Sequence, residues 1–203
     1  MDALTLAGFA AALALSTASP GPTIAALVAR VLARGRHGAA AFCAGLVLGD
    51  LIWLAAAVFG LALLAEAAQP VLAVLKWAGV GFLLWLAWKA WTAPAMLPQD
   101  LPPPRGEGMR LGFAGVTLTL GNPKTMLFYT AITPALLDVG QVDLAGFAAL
   151  GAVLVVVYAA VLAGYVAAAL RARHLLRSTR AVRAVNRAAG VAMAGAAAAV
   201  ATR

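Results

Sequence analysis

Six apolar stretches dominate this chain, and each is close to or longer than the ~20 residues a helix needs to cross a bilayer's hydrocarbon. They run over residues 4–29, 38–64, 70–91, 111–137, 144–170 and 185–202. The last is the shortest and the richest in alanine, with Asn186 and Arg187 at its start. Composition supports the same reading. Of the 203 residues, 64% are hydrophobic and 11% charged, where a soluble domain carries about 25% charged residues. So little charge cannot cover a soluble globule, and the abundance of Leu, Val and Phe excludes disorder. A single cysteine, Cys43, excludes a disulfide scaffold. The expected fold class is an all-α integral membrane protein with six transmembrane helices, 1–203 forming one transmembrane domain.

The net charge of +8 is informative through its distribution. The first connection carries Arg30, Arg34 and Arg36; the third carries Lys89, Arg105 and Arg110; the fifth carries Arg171, Arg173, Arg177, Arg180, Arg183 and Arg187. Twelve of the 15 basic residues therefore fall on one side, against Arg203 alone on the other, where Asp2, Glu66, Asp138 and Asp143 gather. The positive-inside rule makes the odd connections cytoplasmic and puts both termini outside. No basic stripe with interleaved aromatics appears, so nucleic acid is not an expected partner. Leu4–Leu15 followed by Thr17-Ala18-Ser19 imitates a signal peptide, but Asp2 is acidic and Pro20 would follow the cut, so a retained first helix is expected. Five prolines within Thr92–Pro104 make 92–110 a cytoplasmic proline-rich linker.

Two spans are interrupted near their middle, by Ser19-Pro20-Gly21-Pro22-Thr23 and by Gly121-Asn122-Pro123-Lys124-Thr125. Proline removes a helical hydrogen bond, and within hydrocarbon such backbone persists only when buried in protein or lining a wet cavity. A shift of 101 residues superimposes Pro22 on Pro123 and Gly45 on Gly146. The chain therefore reads as two inverted three-helix repeats, 1–91 and 111–203, the first helix of each broken at proline. Paired broken helices in inverted repeats point to a secondary-transporter site at the repeat interface.

Asp50 is the thirteenth residue of 38–64 and Lys124 the fourteenth of 111–137, so both lie near mid-membrane. Each would cost about 2.5–3.5 kcal/mol there if left exposed to lipid. They are expected to face the interior, pairing with each other or contacting the two ends of a zwitterion. Gly45-xxx-Gly49, just before Asp50, allows close helix packing. Lys76 is expected to snorkel, and Trp85, Trp88 and Trp91 to anchor the cytoplasmic interface. Trp53, Trp77 and Tyr129 are open between lining a cavity and packing. No nucleophile–base pair, metal-ligand cluster or phosphate-binding glycine loop is present, so no cofactor or metal is expected.

These motifs together resemble the LysE/RhtB family of bacterial amino-acid exporters. The resemblance rests on Ser19-Pro-Gly-Pro22, Arg34-Gly-Arg36, Gly45-xxx-Gly49-Asp50, Leu75-Lys-Trp-Ala-Gly79 with Trp85-Leu-Ala-Trp-Lys89, Gly121-Asn-Pro-Lys124 with Phe128, and Asn186-Arg-xx-Gly190. It implies a multi-pass protein of the bacterial inner membrane, possible homo-oligomers, and export of amino acids or small zwitterions driven by the proton or another ion gradient. The substrate region it implies is Ser19, Pro20, Gly21, Pro22, Asp50, Asn122, Pro123 and Lys124. Tyr129-Thr-Ala-Ile-Thr-Pro134 is more polar than the family's usual run there. Other readings are an exporter of a different solute or a metal ion, a membrane-embedded enzyme, or a structural subunit. Hard cations need several oxygens, an enzyme needs a catalytic constellation, and a subunit leaves the coincidence of buried charges and helix breaks unexplained.

Overall fold

Asp2 opens the first helix of the computed structural model: its Oδ1 accepts the Thr5 N–H at 2.7 Å, as an N-cap carboxylate does. The bonds from Thr5 hold this exposed carboxyl below the usual carboxylate range. The structure describes residues 1–60 and 107–173 throughout, with scattered helical positions between 77 and 92 and between 180 and 198. The third and sixth expected spans are seen only at those positions. Lys76, Lys89, Asn186 and linker residues 93–106 lie outside the described residues.

The described elements are helical. α1 is Ala3–Ala18 and α2 is Pro22–Arg34; α3 is Ala39–Ala55, continued by a π turn at Ala56–Gly60. α4 is Glu107–Leu120 and α5 is Pro123–Leu127, followed by a π turn at Phe128–Ile132 and then α6 at Thr133–Leu136. A 3-10 turn at Val139–Gln141 leads to α7, Leu144–Arg173. Both expected breaks are present. α1 and α2 meet at 55°, and Gly121 and Asn122 separate α4 from α5. α4 begins at Glu107, four residues ahead of the expected start at 111. The α2–α3 turn uses Gly35 at φ 64° and Gly38 at φ 68°, backbone that side chains with a Cβ rarely adopt.

Two of the described helices, Ala39–Gly60 and Leu144–Arg173, are long and apolar enough to cross a bilayer, and α1 with α2 makes a third as one bent span. α3 lies against α4, while α7 covers α1 and α2. The α3–α4 approach is close because glycines face backbone: a Cβ on Gly115 would sit 2.5 Å from Phe42 O, and one on Gly45 would overlap Gly112 O. A Cβ on Gly49 would lie 2.6 Å from Thr119 Cβ. Phe9, Leu13, Leu27, Leu46, Leu54, Leu150 and Leu154 fill the interior. Leu4, Leu15, Leu48, Phe113, Leu144 and Val156 are exposed on the outside, an apolar surface that water would not tolerate over this extent.

The ends of the bundle differ. At one, Arg30 donates to Glu107 Oε1 at 3.0 Å and to His37 O at 3.2 Å. Arg34 lies 3.6 Å from the same carboxylate, and Arg173 lies beside Gly35. The basic ends of α2 and α7 thus converge beside the acidic start of α4. At the other end Met1 meets Gly146, and Asp143 Oδ1 caps α7 through the Gly146 N–H at 2.7 Å. Gly45→Val should destabilise the purified protein by about 1–3 kcal/mol through overpacking, read as thermal unfolding in detergent. Gly164→Ala, where an added Cβ meets nothing within 4 Å, should leave the midpoint unchanged.

Candidate functional site

Asn122 sets up the second break. Its Oδ1 accepts the Lys124 N–H at 3.1 Å, capping α5, and Pro123 occupies the first helical position, where no amide proton is needed. At the first break Pro22 holds the matching place after an N-cap, Gly21, that makes no side-chain cap bond. The two breaks are neighbours: a Cβ on Gly21 would meet Lys124 Cδ at 3.4 Å. The sequence shift of 101 therefore pairs two segments that touch in space.

Between them opens a small cavity of ≈ 20 Å³, lined by residues of α1, α2, α3, α4, α5 and α7. Ser19, Asp50, Asn122 and Lys124, all expected at the site, line it. Pro20, Gly21, Pro22 and Pro123 form the adjoining backbone and do not line it. Gly45 and Gly49 lie on the α3–α4 contact. Among the described residues Asp50 and Lys124 form no ion pair. Lys124 Nζ donates instead to Ser16 O at 2.5 Å and Ser19 O at 2.7 Å, the carbonyls that end α1. That leaves one ammonium proton uncommitted.

Asp50 is 2% exposed, and its Oδ1 is buried without a hydrogen-bond partner. The hydroxyls of Tyr129 and Tyr158 lie beside its carboxyl, and the Tyr129 hydroxyl is likewise buried without a partner. Thr17 lies beside Tyr158, and its Oγ1 is also buried and unpartnered. A buried polar atom left unmatched costs about 1–3 kcal/mol, and more when charged. Three elements, α1, α3 and the π turn at Phe128–Ile132, thus bring unmet oxygen atoms together at the edge of the cavity. The π turn at Phe128–Ile132 carries Tyr129, which is held edge-on against Phe128 at 5.1 Å between ring centres; π turns recur at functional sites.

Thr17, Thr23, Thr119, Thr125 and Tyr158 also line this region, and sequence reasoning did not single them out. Tyr158 had a usable signal: it is the fifteenth residue of 144–170, so its hydroxyl must find a partner at mid-membrane depth. The threonines had none, because a hydroxyl bonding back one turn looks the same in sequence. Thr117 and Thr130 do bond back, to Phe113 O and Met126 O. Of the aromatics left open, Trp53 and Tyr129 are buried and Trp77 is 58% exposed; none of the three lines the cavity. Among the described residues no group of three or more His, Cys, Asp or Glu side chains could hold a metal.

The family model described as LysE type translocator matches residues 12–203. The homoserine/homoserine lactone efflux protein of Salmonella typhi is 30% identical over 177 residues, 87% of this chain and 85% of that protein. The cysteine/O-acetylserine efflux protein of Salmonella choleraesuis (strain SC-B67) is 29% identical over 123 residues, 59% of this chain and 62% of that protein. A membrane protein of Vibrio cholerae is 29% identical over 147 residues, 70% of this chain and 72% of its own length. No solved structure matches the chain.

Removing the cap that orients Lys124 should be measurable. Asn122→Ala should cost about 1 kcal/mol of stability, seen as a lower thermal midpoint, while Asn122→Ser, which keeps an oxygen acceptor, should recover most of it.

Proposed function

The chain belongs to the LysE-type translocator family, and on that premise we propose that it exports small, neutral, polar amino acids or their close derivatives from the cytoplasm. The observation that carries this reading is the buried Asp50 carboxyl, without a cation partner among the described residues, at the edge of a cavity that the Lys124 side chain also lines. Asp50 takes the substrate's ammonium group. The substrate's carboxylate takes the remaining Lys124 proton and the uncapped first-turn amides of α2, where the helix dipole favours an anion. Thr23, Thr119 and Thr125 line the space between and suit a short side chain with a hydroxyl, thiol or ester. Homoserine, cysteine and O-acetylserine, named for the relatives, are of that kind.

Energy comes from the proton gradient. Asp50 cannot remain a bare carboxylate in this setting, so it holds a proton or an ammonium and exchanges one for the other. Six spans in two inverted repeats carry the site, and the broken helices rock around it. The gathering of Arg30, Arg34 and Arg173 at one end, with Met1 and Asp143 at the other, supports inner-membrane placement with that basic end cytoplasmic and both termini outside.

Accumulation of labelled homoserine or cysteine in inverted vesicles is the test. Transport should require an imposed proton gradient and collapse with a protonophore. Asp50→Asn should lower it at least about tenfold, the equivalent of ~1.4 kcal/mol of ion-pair energy, without lowering the thermal midpoint. Unchanged transport in both Asp50→Asn and Lys124→Gln would remove these two residues from the site. Transport that is indifferent to the proton gradient would end the coupling.

A further inference from the structure

In an α-helix the carbonyl of each residue receives the amide proton of the residue four ahead. Proline has no such proton. Pro20 therefore leaves Ser16 O unmet, and Pro22 leaves Ala18 O unmet. These same two carbonyls are met from elsewhere in the bundle. Lys124 Nζ, on α5, donates to Ser16 O at 2.5 Å and Tyr165 OH, on α7, donates to Ala18 O at 2.6 Å. We infer that Lys124 and Tyr165 are positioning residues that replace the amide protons missing at Pro20 and Pro22, and so hold the 55° bend between α1 and α2 from the second half of the chain.

Each carbonyl that a proline deprives has one side-chain donor from another helix, which a general packing role does not require. The second break supplies the contrast. Pro123 deprives Thr119 O, and the Asn122 N–H meets that carbonyl locally at 3.1 Å. That break closes on itself. The first depends on two side chains from other helices, and its geometry therefore follows wherever α5 and α7 go. Lys124 further binds Ser19 O at 2.7 Å, spanning the bend from the end of α1 to the residue before Pro20. The inference does not depend on which solute is carried.

Matched substitutions in the full chain, purified in detergent without substrate, give the test. Lys124→Met should lower the thermal midpoint by about 4 °C, as expected for one buried carbonyl left unmet in a chain of this size. In a Pro20→Ala background α1 can continue past Ser19 and bring an amide proton to Ser16 O, so the loss should shrink to less than half. In a Pro22→Ala background it should stay whole. Tyr165→Phe should show the opposite pattern, relieved by Pro22→Ala and not by Pro20→Ala. Lys124→Arg, which keeps a donor of similar reach, should retain most of the midpoint. Equal losses in all three backgrounds would overturn the assignment, as would relief by either proline substitution alike. Should Lys124→Met fail to fold, the Tyr165 arm, which removes one oxygen atom, decides by the same criterion. Because no substrate is present, these outcomes stand apart from whether the protein exports amino acids.

Discussion

A carbonyl inside a bilayer has no water to turn to, and this chain places Pro20, Pro22 and Pro123 at mid-span where two spans should be continuous. Much of the described architecture accommodates that requirement. The bend at Pro20 and Pro22 is tolerable because α5 and α7 lie close enough to supply donors. α5 in turn lies there because α4, which leads into it, runs along α3 on a contact of bare glycines. Substituting those glycines would push α4 outward and carry Lys124 away from α1. The packing of small residues and the polar chemistry of the cavity are thus one problem, solved on neighbouring turns of the same helices.

Much of this was legible from residue types alone. Long apolar runs and two interruptions placed the described helices to within a few residues. α3 and α7 start within a residue of their expected boundaries. Asp50 and Lys124 stood out because ionisable groups are so scarce that each one at depth demands a reason. Their relationship was not legible. Opposite charges at equal depth invite pairing, yet Lys124 reaches α1 and leaves Asp50 to the tyrosines. Depth along a helix can be counted from sequence, whereas direction around the bundle depends on how the helices pack.

Tyr165 illustrates the same limit. Nothing in Gly164-Tyr165-Val166 distinguishes it from an interfacial aromatic. The useful clue was in the first helix, at residues four before each proline, and it names the acceptors without naming the donors. Glu107 behaves likewise. It is one of two acids, with Asp100, in a mainly basic set of connections, and its purpose is visible only once Arg30 and Arg34 arrive beside it.

α7 is apolar from Leu144 to Leu170, about 40 Å of helix against ~30 Å of hydrocarbon. A helix this much longer than its solvent layer must lean, protrude or thicken the lipid around it. Tyr165 lies near one end of that length and is tied to Ala18. Any change in lean carries its hydroxyl along or across the first helix. The thickness of the surrounding bilayer therefore becomes a mechanical variable for the bend, and lipids of different chain length would act on it without touching the cavity.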